Sequence, residues 1–360
     1  MGVTRVAVGM SGGVDSSVAA FRMARSGFET IGVTMRVYGG DLSGCTSANA
    51  CYGPDEDKDV EDARRICAFL GIPFREVDLR EEFKTHVLSY FRSEYLSGRT
   101  PNPCVRCNQS IKFGLLLDKL AKSDVTFDRF VTGHYARVSF EKVHGRFILR
   151  KGVDALKDQS YFLCMLSQEQ LGRALFPLGD LTKKEVRTIA RENGLFTHDK
   201  GDSQDFAAGD YRGMLGADRG SRGPIETSSG QVLGRHKGIW SYTIGQRKGL
   251  GIGGGEPLYV TGIRPETNTV LVGPASELYR SNLKATGVNW VSIERPEKPM
   301  RSVVRIRFKH ADAPAKVTPN EDGSVDVLFD EPQRSIAAGQ WAVFYDEDLL
   351  LGGGMIERSW

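Results

Sequence analysis

The feature that most constrains this chain is a glycine-rich turn between a short strand and a helix near its N-terminus. A β-branched run covers residues 5–9, and residues 16–24 carry apolar side chains at helical spacing. Glycine lets the backbone approach a ligand closely, and the first turn of a helix presents unpaired N–H groups with partial positive charge. The turn therefore predicts a phosphate-binding loop. It consists of Gly9, Met10, Ser11, Gly12, Gly13, Val14, Asp15 and Ser16.

This loop differs from two widespread nucleotide loops. It lacks the Gly-Lys-Ser/Thr of a Walker A loop and the Gly-x-Gly-x-x-Gly of a dinucleotide fold. The hydroxyls of Ser11 and Ser16 add donors, and we expect Asp15 to hold a metal ion or to orient pyrophosphate. A glycine-rich turn without a ligand is the alternative interpretation. The complete octapeptide at the end of the first strand favours phosphate binding.

Strands and helices alternate through the first half of the chain. The predicted strands cover residues 30–38, 74–79 and 129–132, and the predicted helices cover residues 58–70, 81–96, 111–122 and 183–193. We expect Thr182 to cap the last of these helices. The βαβα order favours a parallel sheet with helices on both of its faces.

The amino-acid composition and the hydrophobic pattern of the sequence change after residue 199. Residues 209–255 are rich in Gly, Ser and Arg and show little helical pattern. Short alternating runs then recur between turn signals, which predicts a small all-β barrel or sandwich. Those runs are residues 258–263, 269–272, 302–308, 324–329 and 341–345. We place boundaries near residues 205 and 280, giving domains over residues 1–205, 206–280 and 281–360.

Charge and hydropathy indicate which kinds of partner and which compartment to expect for this protein. The formal charge is +3, from 48 basic and 45 acidic residues, which permits a nucleic-acid partner without requiring one. No stretch approaches the ~20 apolar residues of a membrane span. The N-terminus lacks a signal-peptide layout. We therefore expect a cytoplasmic protein with no membrane partner.

The cysteines fall into two groups. Cys67 and Cys164 lie in apolar runs, which predicts inert core residues. Four others lie in loop-like sequence, where close spacing in a cytosolic protein indicates metal or redox chemistry. They are Cys45, Cys51, Cys104 and Cys107.

The octapeptide resembles the pyrophosphate loop of the ATP pyrophosphatase superfamily. Four more segments narrow the resemblance: Thr-Pro-Asn-Pro-Cys-Val-Arg-Cys-Asn at 100–108, Thr-Gly-His-Tyr-Ala-Arg at 132–137, Lys-Asp-Gln-Ser-Tyr at 157–161 and Tyr-Thr-Ile-Gly-Gln-Arg-Lys-Gly-Leu-Gly at 242–251. With the C-terminal Leu-Gly-Gly-Gly they resemble bacterial tRNA-specific 2-thiouridylases over nearly the whole chain. The resemblance implies an α/β fold: a parallel-sheet ATP pyrophosphatase (PP-loop, adenine nucleotide α-hydrolase-like) domain, a small central tRNA-binding domain and a C-terminal β-barrel.

The resemblance also implies an activity. The enzyme would bind ATP with Mg²⁺ and the anticodon stem-loop of tRNA, and adenylate O2 of the wobble uridine. A cysteine persulfide would then deliver sulfur to C2 and release AMP, with a sulfur donor protein or sulfide as the source. Two alternatives stay open: an ATP pyrophosphatase acting on a small molecule, and a non-catalytic tRNA-binding paralogue.

Site residues follow from the same match. The resemblance implies that ATP lies on residues 9–16, Met35 and Gly133. Cys107, Asp15 and Cys104 would be catalytic. The residues implied to contact or border tRNA are Asn102, Pro103, His134, Lys157, Asp158, Gln159, Arg307, Phe308 and Gln340.

The chemistry of the residues agrees with this implication. A target base must leave its stack before an enzyme reaches C2, and a Pro-Asn-Pro loop suits a pocket for it. A cysteine beside Arg106 and a helix N-terminus would have a lowered pKa, so we expect Cys107 to ionise readily.

Two basic runs supply a surface for phosphate contacts. In the central region, Arg235, His236, Lys237, Arg247 and Lys248 flank Trp240 and Tyr242. In the barrel, strand alternation would place Arg305, Arg307 and Lys309 on one face. A solvated charged strand is the alternative interpretation of the second run.

The chain departs from the family at one catalytic position. Many members carry a second cysteine where this chain has Ala207, in the Ser-Gln-Asp-Phe-Ala-Ala run at 203–208. Cys104 and Cys107 form a Cys-x-x-Cys pair instead. Three interpretations stay open: a Cys104–Cys107 disulfide formed in each turnover, a [4Fe–4S] cluster on Cys104, Cys107 and either Cys51 or Cys45, or structural zinc on the four loop cysteines.

Overall fold

The computed structural model describes residues 4–40, 50–201, 205–207, 214, 221–253 and 256–360. The chain forms two compact units, which are described separately. The N-terminal unit comprises Met1–Val87, Cys104–Gly213 and Asp348–Leu350. The C-terminal unit comprises Leu88–Pro103, Met214–Glu347 and Leu351–Trp360.

The strands, in chain order, are β1 (Arg5–Gly9), β2 (Glu29–Arg36), β3 (Ala50–Tyr52), β4 (Phe74–Asp78), β5 (Arg129–Val131), β6 (Ala136–Glu141), β7 (Arg146–Lys151), β8 (Ala174–Leu175), β9 (Asp205–Ala207), β10 (Pro224–Thr227), β11 (Val232–Arg235), β12 (Tyr259–Arg264), β13 (Thr269–Gly273), β14 (Tyr279–Trp290), β15 (Met300–Arg305), β16 (Ala313–Pro319), β17 (Val325–Arg334), β18 (Trp341–Asp346) and β19 (Leu349–Ser359).

The α-helices are α1 (Val14–Arg25), α2 (Glu56–Leu70), α3 (Arg80–Phe83), α4 (Ser89–Leu96), α5 (Pro103–Arg106), α6 (Leu116–Ala121), α7 (Gln168–Arg173) and α8 (Lys183–Glu192). Lys84–Leu88 and Cys107–Leu115 are π-helical. Short 3₁₀ turns cover Ser160–Leu163, Phe196–Asp199, Ile239–Ser241, Pro265–Thr267 and Ala275–Leu278.

A five-stranded parallel sheet organises the N-terminal unit, as the βαβα pattern predicts. Its order is β4-β2-β1-β5-β8, with every neighbouring pair parallel. Val6, Val8 and Val131 of the strands pack with Val18 of α1 and Ile66 of α2, and all five are fully buried. Because parallel strands end at the same edge of a sheet, the segments that follow β1 and β5 lie side by side.

Two smaller pairings complete the N-terminal unit. The hairpin β6–β7 is antiparallel, and Leu349 and Leu350 at the start of β19 pair with β7. Strands β3 and β9 form a parallel pair in which Tyr52 is opposite Ala207.

The predicted helix over residues 111–122 is wound differently from the expectation. The helical segment begins at Pro103, continues as a π-helix from Cys107 to Leu115 and only then becomes α6. The predicted helix over residues 81–96 is likewise interrupted by a π-helical stretch. Apolar spacing indicates a helix in both places, but it does not distinguish the two windings.

The C-terminal unit contains a small sheet and a barrel. The sheet has the order β11-β10-β13-β12, and its core contains Ile225, Val260 and Val270. The barrel runs β14-β17-β16-β15-β18-β19 and closes because β14 also pairs with β19. The sequence predicts the C-terminal barrel and a small central domain, but not the central sheet. The alternating runs at residues 258–263 and 269–272, expected in the barrel or sandwich, form β12 and β13 of that sheet. Within the described ranges, no helix is both long and apolar enough to span a bilayer.

One alternation prediction in the barrel is wrong. The strand expected over residues 302–308 is β15, which ends at Arg305, and the chain bends after it. Arg307 and Lys309 therefore do not continue the strand face of Arg305. The sequence pattern also missed β14, β16 and β19, which supply half of the barrel.

Helix α8 offers a direct test of the local rules. Thr182 accepts a hydrogen bond from the N–H of Glu185, and the Glu185 side chain accepts one from the N–H of Thr182. We expect Thr182→Ala to lower the free energy of unfolding by about 1 kcal/mol, because the first turn loses a partner. Urea unfolding measures this. The exposed Thr85→Ala should change stability by less than about 0.5 kcal/mol, and equal effects of the two substitutions would contradict the capping role.

Candidate active site

The glycine-rich loop is held ready for an anion by its own hydroxyls. Gly9 ends β1, the Met10 N–H donates to the carbonyl of Val33 at 2.7 Å, and Val14 begins α1. The N–H and Oγ of Ser11 each donate to Ser16 Oγ at 3.2 Å. The N-cap residue of α1 is Gly13, which makes no side-chain cap. The first turn of α1 therefore presents N–H groups that suit an incoming phosphate.

Two glycines in this region are required by close packing. Gly12 has φ +69°, and a Cβ there would overlap the carbonyl oxygen of Asp59. A Cβ at Gly133 would lie 2.9 Å from the carbonyl carbon of Asp15 and 3.0 Å from the backbone nitrogen of Ser16. The segment after β5 is therefore pressed against the first turn of α1, where the sequence predicts the nucleotide.

Asp15 is engaged by two side chains that the sequence analysis missed. Lys183 Nζ donates to both oxygens of Asp15, at 2.7 and 2.8 Å, and the Tyr135 hydroxyl donates to Oδ1 at 2.8 Å. An ammonium group and a phenol thus hold the Asp15 carboxylate in place. Its roles in holding a metal ion or orienting a pyrophosphate stay predictions. No local signal identifies Lys183, which is only the first residue of a well-capped helix.

A second lysine lies beside the same loop. Lys200 Nζ donates to the Gly12 carbonyl at 3.1 Å, to Asp59 at 2.8 Å and to Asp62 at 2.7 Å. Burial lowers the pKa of Lys200, but the hydrogen bonds and charges of the two carboxylates outweigh burial and raise it. Lys183 and Lys200 thus supply two ammonium groups next to the backbone of the loop.

The predicted Met35 lies near the end of β2, half-buried and opposite Val77 of β4. The hydroxyl of its neighbour Thr34 donates to the Met10 carbonyl at 2.8 Å. The end of β2 is thereby tied to the start of the glycine-rich loop. A place for Met35 in nucleotide binding stays a prediction.

The prediction of a readily ionised Cys107 is wrong. Burial raises the pKa of Cys107 to about 11, Lys112 lowers it and Cys51 raises it. The thiol lies inside a continuous helical segment that begins at Pro103, so the free N–H groups of the first turn are not available to it. The sequence motif shows that Arg106 is adjacent to Cys107, but it does not show that the Cys107 side chain is buried.

The cysteine clusters proposed from the sequence receive little geometric support. Among the residues that the structure describes, no three His, Cys, Asp or Glu side chains come together as ligands of a metal ion. Cys51, Cys104 and Cys107 are therefore not presented as a ligand set, and Cys45 lies outside the described residues. Cys67 and Cys164 are fully buried, as predicted. Burial raises the pKa of Cys67 to about 12 and also raises that of Cys164.

His134 follows Gly133 directly, and its ring lies near those of Phe113 and Phe176. Its Nδ1 lies 2.7 Å from the hydroxyl of Thr132. Burial, with a smaller contribution from Lys112, lowers the pKa of His134 to about 3. The imidazole is therefore neutral at physiological pH, and it can exchange hydrogen bonds but not pair with a phosphate as a cation.

In the turn that contains Lys157, Asp158 and Gln159, the side chains of Asp158 and Gln159 accept hydrogen bonds from the protein backbone. Asp158 is only 3% exposed, and its Oδ1 accepts from the backbone N–H groups of Gly152 and Ser160 at 3.2 and 3.0 Å. Gln159 Oε1 accepts from the N–H of Tyr135 at 3.1 Å. Asp158 and Gln159 therefore hold the shape of the turn. Contact of Lys157, Asp158 and Gln159 with tRNA stays a prediction.

Within the C-terminal unit, Gln340 fastens the segment that leads to the cysteine pair. Its Nε2 donates to the carbonyls of Thr100 and Pro101, at 3.0 and 3.1 Å. Asn102 and Pro103 are buried, and the Asn102 N–H is 3.4 Å from the Tyr90 hydroxyl. Gln340 thus positions this loop, and contact of Asn102, Pro103 and Gln340 with tRNA stays a prediction.

The basic run of the barrel is largely paired. Arg301 pairs with Asp330, and Arg305 Nε donates to Asp312 at 2.8 Å. Arg307 Nη2 donates to the carbonyls of Ile244 and Ser335, at 3.2 and 2.9 Å. Its neighbour Phe308 is half-buried. These contacts leave the run less available for phosphates than its composition indicates.

Some residues of the central basic run are buried and others are exposed. His236, Trp240 and Tyr242 are core residues of the C-terminal unit, so the prediction that they interleave with a nucleic-acid surface is wrong. Their basic neighbours are exposed: Arg235, Lys237, Arg247 and Lys248. Aromatic residues in a glycine-rich stretch here form the core that the small sheet needs.

Comparison with known proteins gives three family-model matches. Residues 4–207 match a tRNA methyl transferase HUP domain, residues 216–274 a tRNA methyl transferase PRC-barrel domain and residues 280–356 an aminomethyltransferase β-barrel domain. Two solved structures, an NMN synthetase from Francisella tularensis and a predicted tRNA methyltransferase subunit from Methanocaldococcus jannaschii, match with TM-scores of 0.35 and 0.33. Those scores are too low to support an argument.

Curated relatives match over almost their full length. The tRNA-specific 2-thiouridylase MnmA of Endomicrobium trichonymphae is 46% identical over 98% of both chains. The enzyme of the same name from Trichormus variabilis is 44% identical, covering 98% of this chain and 99% of the relative. That of Geotalea uraniireducens is 46% identical, covering 99% and 95%.

The packing at Gly133 predicts a sharp effect of one methyl group. We expect Gly133→Ala to weaken ATP binding at least about tenfold, because the added carbon forces Asp15 and Ser16 to move. Isothermal titration calorimetry measures this. The exposed Gly39→Ala is the matched control, since nothing lies within 4 Å of its added carbon. Unchanged binding by Gly133→Ala would show that this approach does not shape the nucleotide loop.

The raised pKa of Cys107 predicts how the thiol reacts. With a pKa near 11, the thiolate is roughly one part in a thousand at pH 8, and its fraction rises about tenfold per pH unit. We expect the rate of Cys107 alkylation by iodoacetamide, followed by peptide mass spectrometry, to climb steadily from pH 7 to pH 9. The exposed Cys51 should be modified first at pH 7.5. A Cys107 rate that levels off below pH 9 would contradict the assignment.

Proposed function

The chain belongs to the tRNA-specific 2-thiouridylase family, and from that premise we propose that it converts the wobble uridine of tRNA to 2-thiouridine in an ATP-dependent reaction. The observation that carries the proposal is that two consecutive residues, Gly133 and His134, interact with two different parts of the site. Gly133 packs on the glycine-rich loop, and His134 lies within electrostatic reach of Lys112 beside Cys107. A phosphate loop and a thiol are thereby joined by one short segment.

The proposed reaction has two stages. ATP binds with its phosphates on the first turn of α1, where Lys183 and Lys200 add positive charge. The uridine O2 attacks the α-phosphorus and pyrophosphate leaves, which turns a poor leaving oxygen into a good one. Sulfur carried as a persulfide on Cys107 then attacks C2, and AMP leaves. Mg²⁺ bound to the phosphates would neutralise their charge, and we assign it no protein ligand.

We propose that the thiol partner of Cys107 is Cys104. The two residues lie three positions apart in one continuous helical segment, so they share a face. When the sulfur leaves, a Cys104–Cys107 disulfide would form and an external dithiol would reduce it. The outer sulfur of the persulfide comes from a donor protein that already carries it as a persulfide and passes it to the Cys107 thiol. Free sulfide could serve only the cluster route. A three-thiolate [4Fe–4S] cluster is the alternative, and an iron and sulfide assay of anaerobically purified protein decides between them.

The C-terminal unit is the proposed partner of the tRNA. We propose a catalytic domain over residues 1–205, a tRNA-binding domain over 206–280 and a barrel over 281–360. The exposed Arg235, Lys237, Arg247 and Lys248 offer phosphate contacts, which give affinity that falls with salt. A protein acting on tRNA is expected in the cytoplasm.

The two stages can be separated by substitution. We expect Asp15→Ala to abolish AMP formation, because Lys183 and Tyr135 lose the group that orders them. Cys107→Ala should retain AMP formation and lose 2-thiouridine. Mass spectrometry of tRNA nucleosides and AMP release measure both, under anaerobic conditions with ATP, Mg²⁺ and a donor protein loaded with a persulfide.

Cys67→Ala is the matched control for the thiol, since Cys67 is a buried residue of the core. It should lower both stages equally if it has any effect. Thiolation by Cys107→Ala would overturn the catalytic assignment. AMP formation that needs a small metabolite and ignores tRNA would instead favour an ATP pyrophosphatase of another specificity.

A further inference from the structure

We propose that Lys112 is a positioning residue for sulfur transfer: its ammonium group pairs with the anionic sulfur on Cys107. No part of the two-stage reaction above requires this lysine. The role in transfer rests on the proposed function, whereas the pairing itself is a property of the folded protein and can be tested without tRNA.

The winding of the helix places the two residues together. Cys107 and Lys112 are five positions apart, and both lie in the π-helical segment Cys107–Leu115. In an α-helix, residues three or four apart share a face, so position 112 would turn away from position 107. A π-helix bonds residue i to residue i+5, which brings the fifth residue back to the same side. Such segments recur at functional sites.

The groups that raise the pKa of Lys112 are three thiols. Burial lowers the pKa of the Lys112 ammonium, but Cys107, Cys51 and Cys104 together outweigh burial and raise it. Its charge also helps to lower the pKa of His134. The groups that interact electrostatically with Lys112 thus come from α5, the π-helix, β3 and the segment after β5.

A second side chain holds the unusual winding in place. Gln170 Nε2 donates to the carbonyls of Gln109 and Phe113, at 2.8 and 3.0 Å. Its Oε1 accepts from the N–H of Ser167 at 3.0 Å, in the capping box of α7. Asn108 adds a bond from Nδ2 to the Phe162 carbonyl at 3.1 Å. The π-helix is therefore fastened from outside by the start of α7.

The chemical need for this cation follows from the burial of Cys107. A sulfur anion that is 8% exposed is poorly solvated, so it requires a compensating charge in the protein. Lysine suits this task, since its ammonium is a compact charge with three donors. The pairing adds no bond-forming step and consumes no reductant.

The test compares Lys112→Met with Lys112→Arg and with the exposed Lys122→Met as matched control. The first readout is the rate of Cys107 alkylation at pH 8, in full-length protein without tRNA. We expect Lys112→Met to slow it about tenfold, which corresponds to about one unit in the thiol pKa. Lys112→Arg should recover part of the rate, and Lys122→Met should match the parent.

The second readout separates the stages in the parent and in each variant. Lys112→Met should lose more 2-thiouridine formation than AMP formation. Alkylation of Cys107 at the parent rate in folded Lys112→Met would overturn the proposal. If that variant does not fold, Gln170→Met changes no charge but releases the π-helix, and it should slow alkylation in the same direction. An unchanged rate there would also count against the pairing.

The two proposals fail in different ways. Slower alkylation in Lys112→Met, together with a parent protein that makes no 2-thiouridine, would remove the proposed function and leave the pairing intact. Normal thiolation by the parent with unaffected alkylation in Lys112→Met would do the reverse.

Discussion

The candidate site depends on the close approach of Gly133 to the first turn of α1. The parallel sheet sets this approach, because β1 and β5 are neighbours whose carboxyl ends share one edge. There is no space for a side chain between the two segments. The next residue, His134, has its ring near Phe113 of the π-helix that begins at Cys107. One backbone segment therefore leads from the nucleotide loop to that helix. Tyr135, which bonds Asp15, extends the same arrangement.

The two lysines beside the loop are paired with carboxylates before any ligand arrives. Lys183 pairs with Asp15, and Lys200 pairs with Asp59 and Asp62. A triphosphate entering the site would compete with these carboxylates for the two ammonium groups. The carboxylates keep the lysines ordered and prevent repulsion between cations in a partly buried region. The binding site thus combines backbone donors that are free with side-chain donors that are already engaged.

Features set by residues close together in the chain could be predicted from the sequence. Contacts between residues far apart in the chain could not. Short-range patterns predict the strand at residues 5–9 and the glycine-rich turn after it. They also predict the cap at Thr182 and the parallel sheet. Lys183 and Lys200 could not be found that way, since they lie more than a hundred positions from Asp15 and Gly12. The π-helical winding depends on Gln170, which is also remote. The pKa of Cys107 reverses the expectation because burial, which no motif reports, outweighs the neighbouring charge.

The clasp of Gln340 on Thr100 and Pro101 has a mechanical consequence. Those residues belong to the C-terminal unit, whereas Cys104, next along the helical turn after Pro103, belongs to the N-terminal unit. Gln340 therefore holds the backbone of Thr100 and Pro101 directly before the helical turn that begins at Pro103. Proline fixes its own φ and disfavours the α region for the residue before it, so Pro101 and Pro103 limit the conformations open to Asn102. Replacing Gln340 would remove hydrogen bonds from this segment but would leave those two covalent restraints in place.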